Sequence, residues 1–287
     1  MKSISYELKK IYKIIDCPKC NFTHISPIPS VKNRQEYYEN KYYQSHSQPL
    51  LEFKKELNDQ KWLDQQSEEH RLLLKKFGKS NGKVLDIGCG NGFFLHYMQS
   101  KGWNALGIEP NSFARKNADS LGVKTKSNFS GLKNSSFDVI MLRYTLEHIP
   151  NPSSLLKKIK KYLVKNGLLI VMVPNDFNPL QLSVEKMGYK QWWVSPPDHI
   201  NYFNFKSLKK LLKKINYDVV YQTTDFPMEL FLLLGNDYVT NSSIGKKCHK
   251  QRINFENNLD SKVLRKLYKS YAQNNMGRTC IIYARNL

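Results

Sequence analysis

Hydrophobic residues along this chain recur in two rhythms. Short apolar runs at Val84–Ile87, Trp103–Ile108, Phe137–Leu142 and Leu168–Val173 have strand length and are bounded by Gly, Pro, Asn or Ser. Between them the spacing changes to that of a helix. Leu155, Leu156, Ile159, Tyr162 and Leu163 fall on one face, with Lys157, Lys158, Lys160, Lys161 and Lys165 on the other. The same spacing predicts a helix over 205–215, with Leu208, Leu211, Leu212 and Ile215 inward, and strands follow at 217–221 and 278–285. An earlier helical pattern runs through Leu51, Phe53, Leu57, Trp62 and Leu63 to Leu72, Leu73, Leu74 and Phe77. Strands alternating with helices predict an α/β fold whose mainly parallel sheet carries helices on both faces.

The first strand leads into Gly88-Cys89-Gly90-Asn91-Gly92, preceded by Asp86. Glycines at alternate positions carry the backbone through a turn that has no Cβ between it and a ligand. The helix that begins at Phe93 then points its first N–H groups at whatever is bound. A dinucleotide fingerprint would place a third glycine at 93, where this chain has Phe93. The second run ends in Glu109-Pro110, about 20 residues beyond the loop, where a carboxylate can accept hydrogen bonds from ribose hydroxyls.

Together these segments resemble the S-adenosylmethionine loop and acidic strand end of class I methyltransferases. Arg143-Tyr144-Thr145-Leu146-Glu147-His148-Ile149-Pro150 is similar to the family's "LEH" segment, and Val173-Pro174-Asn175 to the "PN" exit of its fifth strand. The resemblance covers residues 70–225 most strongly and extends to methyltransferases of bacterial surface-polysaccharide gene clusters. It implies a Rossmann-like, doubly wound, seven-stranded, mainly parallel sheet, with a cysteine-bearing N-terminal extension and a helical insertion before the last strand. The expected divisions are an extension and helix (1–77), a cofactor-binding core with its acceptor loop (78–224), a helical cap (225–276) and a last core strand (277–287). The implied cofactor contacts are Asp86, Gly88, Cys89, Gly90, Asn91, Gly92, Glu109, Pro110, Asn128, Arg143 and Tyr144. Asn128 stands where the family often has Asp beside the adenine, and its amide can still bond that edge.

Histidine is the usual general base near neutral pH, so His148 and His199 are the catalytic candidates, with Tyr202 beside them. His199 lies in Trp192-Trp193-Val194-Ser195-Pro196-Pro197-Asp198-His199, a Trp- and Pro-rich loop placed where such enzymes bind their acceptor. Asn175, and His249 or Arg252 of the cap, are further candidates. For His148, His199 and Asp86 a satisfied structural role stands beside the functional one.

The net charge of +21 changes the picture little. Lysines number 37 against 8 arginines and sit on helix faces, and no base-reading module accompanies them, so specific nucleic-acid binding is not expected. Attraction to an acidic acceptor, such as a sugar nucleotide or lipid-linked sugar, or peripheral contact with an anionic membrane, stays open. The first residues form no apolar signal segment and no run is long enough to span a bilayer, which predicts a cytoplasmic protein. Five scattered cysteines argue against a disulfide framework. Cys17 and Cys20 have zinc-knuckle spacing, but with His24 they supply three ligands rather than four, so no bound metal is expected. The expected activity is methyl transfer from S-adenosylmethionine to a sugar hydroxyl of a surface-glycan precursor. A quinone-type or other small-molecule acceptor, and a non-catalytic cofactor-binding scaffold, are the alternatives. Oligomeric state is not legible.

Overall fold

The computed structural model describes residues 11–30 and 49–287. The tyrosine cluster at Tyr37, Tyr38, Tyr42 and Tyr43 lies outside them. Two sheets form. The larger has seven strands: β3 (Lys83–Ile87), β4 (Asn104–Ile108), β5 (Thr125–Lys126), β6 (Phe137–Arg143), β7 (Leu163–Pro174), β9 (Tyr217–Thr223) and β10 (Thr279–Asn286). Their order is β5-β4-β3-β6-β7-β10-β9. Pairing is parallel from β5 to β7, whereas β10 runs antiparallel between β7 and β9. This is the Rossmann-like arrangement expected.

A strand buried on both faces must be apolar at every position, and β7 is buried from Gly167 to Val173. Successive side chains point to opposite faces. Leu85, Ile87, Ile140, Leu142, Leu169 and Val171 therefore meet α5 (Pro152–Lys160) and α7 (Phe205–Lys214). Val84, Val139, Met141 and Ile170 face α2 (Gln60–Lys76) and α3 (Phe93–Ser100). Asp86 is two residues beyond Val84 and Arg143 two beyond Met141. The same alternation thus brings an acid and a base together on the α2–α3 side.

The helical pattern at 50–77 breaks at Asp59 into α1 (Pro49–Asn58) and α2. α4 (Ser112–Ser120) follows β4, and α6 (Pro179–Lys186) opens the segment after β7. After β9 come α8 (Glu229–Leu233), α9 (Ser242–Asn258) and α10 (Ser261–Gln273). Among the described residues no helix is long and apolar enough to cross a membrane.

The smaller sheet was not anticipated. β1 (Lys13–Cys17) and β2 (Phe22–Ser26) form a hairpin around the cysteine turn, and β2 pairs with β8 (Asn201–Tyr202). Ile25, Trp193, Val194, Ile200 and Tyr202 pack into its core. The N-terminal extension is thus a structural partner of the loop that carries His199.

Asn201 fastens this sheet to the exit of β6. Its buried Nδ2 donates to the carbonyls of Leu146 (3.2 Å) and Ile149 (2.7 Å). Asn201→Ala strands the Ile149 carbonyl and leaves that of Leu146 only the 3.3 Å bond from the Ile149 N–H, and we expect a loss of about 1–3 kcal/mol of stability in urea unfolding. An unchanged midpoint would mean that water replaces the amide there.

Candidate active site

The loop at the end of β3 is built to let a ligand touch backbone. Gly88 has φ +75°, and a Cβ there would lie 2.3 Å from Thr145 Oγ1. That hydroxyl donates to the carbonyl of Ile87 at 3.0 Å, fastening the turn to the exit of β6. Gly90 has φ +53° and nothing within 4 Å of the place its Cβ would take, so the space above it is open. Gly92 caps α3, whose N-terminus faces the turn.

Glu109 organises the other side. One carboxylate oxygen accepts from the Gly90 N–H at 3.0 Å and the other from the Asn111 N–H at 2.8 Å. Burial pushes its pKa up, against these two N–H groups. Each oxygen retains a lone pair, so the carboxylate can accept from a ligand hydroxyl while still holding the loop. Asn91, nearly buried, donates to Glu56 of α1 at 2.6 Å and accepts from Asn117 of α4 at 2.9 Å. Cys89 is buried, its sulfur lying where a side chain at Gly107 would go. The Pro110 carbonyl is taken by Arg115 at 2.6 Å.

Asp86 is completely buried, and the Arg143 Nε lies 3.4 Å from its Oδ2, too poorly aligned for a hydrogen bond. Burial raises the Asp86 pKa to about 6, partly offset by the charge of Arg143, whose guanidinium sits over the Phe94 ring at 4.9 Å. A buried carboxylate lacking full hydrogen bonding suits a cationic amino group. Open space over Gly90, two carboxylates and a helix N-terminus together match S-adenosylmethionine, with its sulfonium, amino group and ribose. Tyr144 follows with φ +49°, its ring half exposed and its hydroxyl 3.1 Å from Thr279 Oγ1. Asn128 is exposed, and its Oδ1 already accepts from the Ser130 N–H at 2.8 Å. Its Nδ2 donates to Ser127 Oγ at 3.4 Å, and its second N–H is a further donor.

Beyond the ends of β6 and β7 the fold gathers His148, His199 and Tyr202. The two imidazoles are 5.0 Å apart, and His199 is 6.4 Å from the Tyr202 ring. Nδ1 of His148 lies 2.9 Å from the Asp198 carbonyl and 3.2 Å from its carboxylate, while Glu147 is 4.0 Å from Nε2. Burial works against the imidazolium of His148, but its bond to Asp198 and the charge of Glu147 outweigh it and lift the pKa to about 9. His199 moves oppositely. Burial and then the positive His148 lower it to about 4, and its Nδ1 has no hydrogen-bond partner. At neutral pH His148 is therefore a cation without a lone pair to offer, and His199 a neutral ring with one. The Tyr202 hydroxyl accepts from the Ser195 N–H at 3.3 Å, and burial pushes its pKa up.

Sequence reasoning missed the acids around this pair. Asp176, directly after the "PN" exit, is buried with neither oxygen bonded. Burial and the neighbouring charges of Glu147 and Glu229 raise its pKa well above normal. Its position beyond β7 was the available signal. Other candidates have structural work. The Asn175 amide donates to the carbonyls of Asn275 and Gly277, and Arg252 lies over the Trp62 ring at 4.6 Å, 3.6 Å from Glu256. His249 lies 3.7 Å from Asp59. In the hairpin turn Cys17, Cys20 and His24 bring one donor atom each within 4.8 Å of one another. The Cys20 N–H donates to the Cys17 sulfur, which with His24 lowers the Cys17 pKa to about 7.

A family model described as a methyltransferase domain matches residues 60–222. A ubiquinone biosynthesis O-methyltransferase of Actinobacillus pleuropneumoniae is 34% identical over 113 residues, 34% of this chain and 47% of that protein. One of the same description from Pseudomonas aeruginosa is 30% identical over 139 residues, 42% of this chain and 60% of that protein. The match thus spans about half the length of these curated relatives. The crystal structure of a SAM-dependent methyltransferase from Archaeoglobus fulgidus superposes with a TM-score of 0.51, covering 87% of this chain and 99% of that one at 16% identity. At that identity the likeness is one of fold.

The two histidines should titrate far apart. Imidazole NMR is expected to show His148 losing its proton near pH 9 and His199 gaining one near pH 4. His148 is raised above its unfolded value of about 6.5, so its stabilisation is complete below pH 6.5 and lost as pH rises through 9. His199 is lowered, so its contribution is complete above pH 6.5 and is lost as pH falls toward 4. Coincident titration near 6.5 would contradict the cluster.

Proposed function

The chain belongs to the methyltransferase-domain family, and from that premise we propose that it transfers the methyl group of S-adenosylmethionine to a hydroxyl oxygen of a small acceptor. The observation that carries this reading is the placement of two dissimilar sites on one sheet edge. A cradle of glycines and carboxylates lies over β3, β4 and β6, and a buried imidazole with an unused nitrogen lies beyond β6 and β7.

In this reading Gly88, Gly90 and Gly92 admit the cofactor against backbone, with Glu109 on the ribose hydroxyls and Asp86 on the amino group. Cys89, Asn91, Pro110, Asn128, Arg143 and Tyr144 complete the wall. The bound cofactor supplies a methyl group on a cationic sulfonium, an electrophile that needs no covalent help from the protein. The protein aligns the acceptor, excludes water and receives one proton. His199 takes that proton at Nδ1. His148, held as a cation by Asp198 and Glu147, positions it. The Trp192–Trp193 pair belongs to the same loop as His199.

Two acceptor classes each have an observation in their favour. Asp176, Glu147 and Glu229 keep buried oxygens without hydrogen bonds, which suits the several hydroxyls of a sugar, including one in a surface-glycan precursor. The names of the curated relatives favour a quinol hydroxyl. Turnover assays with nucleotide sugars and with quinols separate the two. Cofactor binding without turnover of either would favour a scaffold.

Calorimetry should show S-adenosylmethionine binding and no NAD binding. Glu109→Ala should weaken the cofactor by at least about tenfold, since charge-assisted hydrogen bonds contribute roughly 1.5–3 kcal/mol each before water recovers part of that. The same substitution frees Gly90, so circular dichroism must show the fold retained. An unaltered dissociation constant would place the ribose elsewhere.

His199→Ala should lower turnover by about 10²–10⁴-fold with cofactor affinity nearly unchanged. The acidic limb of the wild-type pH–rate profile is expected near 4, well below the reference histidine value, because the ring is buried beside a cation. A variant as fast as wild type would remove His199 from the reaction.

A further inference from the structure

A cavity of about 340 Å³ lies on the α2–α3 side of the sheet, between α2 and the helices α9 and α10. None of Gly88, Gly90, Gly92 or Glu109 lines it, so it is separate from the cofactor cradle. Its floor is a row of cross-strand neighbours, Met172, Ile281 and Thr223, from β7, β10 and β9. Leu73, Leu259 and Leu264 add to a wall that is mostly hydrocarbon. Close-packed interiors leave few voids larger than a water molecule, whereas ligand pockets are mostly apolar with a few polar groups and begin near this size.

The acids Glu256 and Glu69 on its wall are occupied. Glu256 accepts from Trp62 at 2.9 Å and from Tyr268 at 2.8 Å, and Glu69 pairs with Arg265 at 2.6 Å across α2 and α10. Asp225 differs. Its Oδ2 accepts from Thr279 Oγ1 at 2.8 Å, but its buried Oδ1 has no hydrogen-bond partner. Thr279 in turn lies 3.1 Å from the Tyr144 hydroxyl, and the Tyr144 N–H donates to the carbonyl of Met172 at 2.9 Å. Asp225 is therefore linked through two hydroxyls to the residue that follows β6, at the edge where the methyl donor would lie. A buried acceptor atom without a donor is costly, and a ligand hydroxyl would satisfy it.

We infer that this cavity holds the body of the methyl acceptor, and that the acceptor is an amphipathic molecule with an apolar ring or chain and, besides the hydroxyl methylated beside His199, a second hydroxyl donated to Asp225. Asp225 acts here as a positioning residue. The inference rests on the methyltransferase reading for its direction, yet the cavity can be tested without turnover.

The probe is 2-naphthol, an apolar bicycle with one hydroxyl, titrated into the full chain with quenching of tryptophan fluorescence as the signal. Trp62 lines the cavity and reports directly. Leu264→Trp fills the cavity from α10 and Leu259→Trp from the link between α9 and α10. Each should weaken 2-naphthol by at least about tenfold, as loss of an apolar contact of this size implies. Asp225→Asn should weaken it about fivefold by removing a charge-assisted bond, while naphthalene, which has no hydroxyl, should bind the variant and the wild type alike. Calorimetry of S-adenosylmethionine should be unchanged in all three variants. Absence of 2-naphthol binding to wild type would overturn the proposal. So would binding indifferent to whichever tryptophan variant folds, or an equal effect of Asp225→Asn on both probes. Failure of wild type to bind the cofactor would instead sink the methyltransferase reading and leave the cavity result standing.

Discussion

A carboxylate at the end of one strand holds the turn at the end of the next, and the cofactor edge is built around that contact. Glu109 accepts from the backbone of Gly90 and of Asn111, so it fixes both the glycine turn after β3 and the start of α4 after β4. Of the turn's five residues only Cys89 and Asn91 have side chains to pack, and its three glycines have none. Without an external anchor its positive-φ glycines would lose order, because glycine sacrifices the most backbone freedom on folding. Thr145 supplies a second anchor from β6, and its methyl and hydroxyl occupy the volume that a side chain at Gly88 would need. The cradle is thus held by its neighbours, and any ligand that competes for Glu109 also bears on the shape of the loop.

How much of this was legible depended on whether a feature is local. The strands and the glycine turn are encoded in runs of four to nine residues, and the pairing of Asp86 with Arg143 follows from alternation once β3 and β6 are neighbours. The break at Asp59 was not visible, because the apolar spacing continues through it. The hairpin's attachment to β8 was hidden for a different reason. It joins two short segments far apart in the chain, and a two-residue strand carries no periodicity. The histidine cluster was half legible. The types His148 and His199 named the chemistry, but their opposite charge states come from Asp198, Glu147 and burial, which only the folded arrangement supplies. Asp225 carried no sequence signal at all, being one acid in a connecting segment.

The two halves of the sheet edge differ in electrostatic character. Around the glycine turn Glu109 accepts from two backbone N–H groups, and Asp86, itself without a hydrogen bond, has the charge of Arg143 at 3.4 Å. Around the loop that carries His199, Asp176 and Glu147 sit without hydrogen bonds, and burial, with neighbouring negative charge, raises their pKa. Such groups cost stability unless something donates to them. That imbalance is one expected of a site shaped for a ligand rather than for the empty fold.

The hairpin of β1 and β2 has a practical consequence for anyone trimming this chain to a minimal unit. A fragment beginning at residue 49 would keep every strand of the large sheet, the glycine turn and Glu109. It would also leave Asn201 and Tyr202 as an open sheet edge, and would uncover Trp193, Val194 and Ile200 where Ile25 had covered them. Unpaired edges flanked by exposed aromatic and aliphatic groups invite pairing with other chains. The segment before the recognisable domain therefore covers the loop that carries His199, and a boundary drawn from the family match alone would remove it.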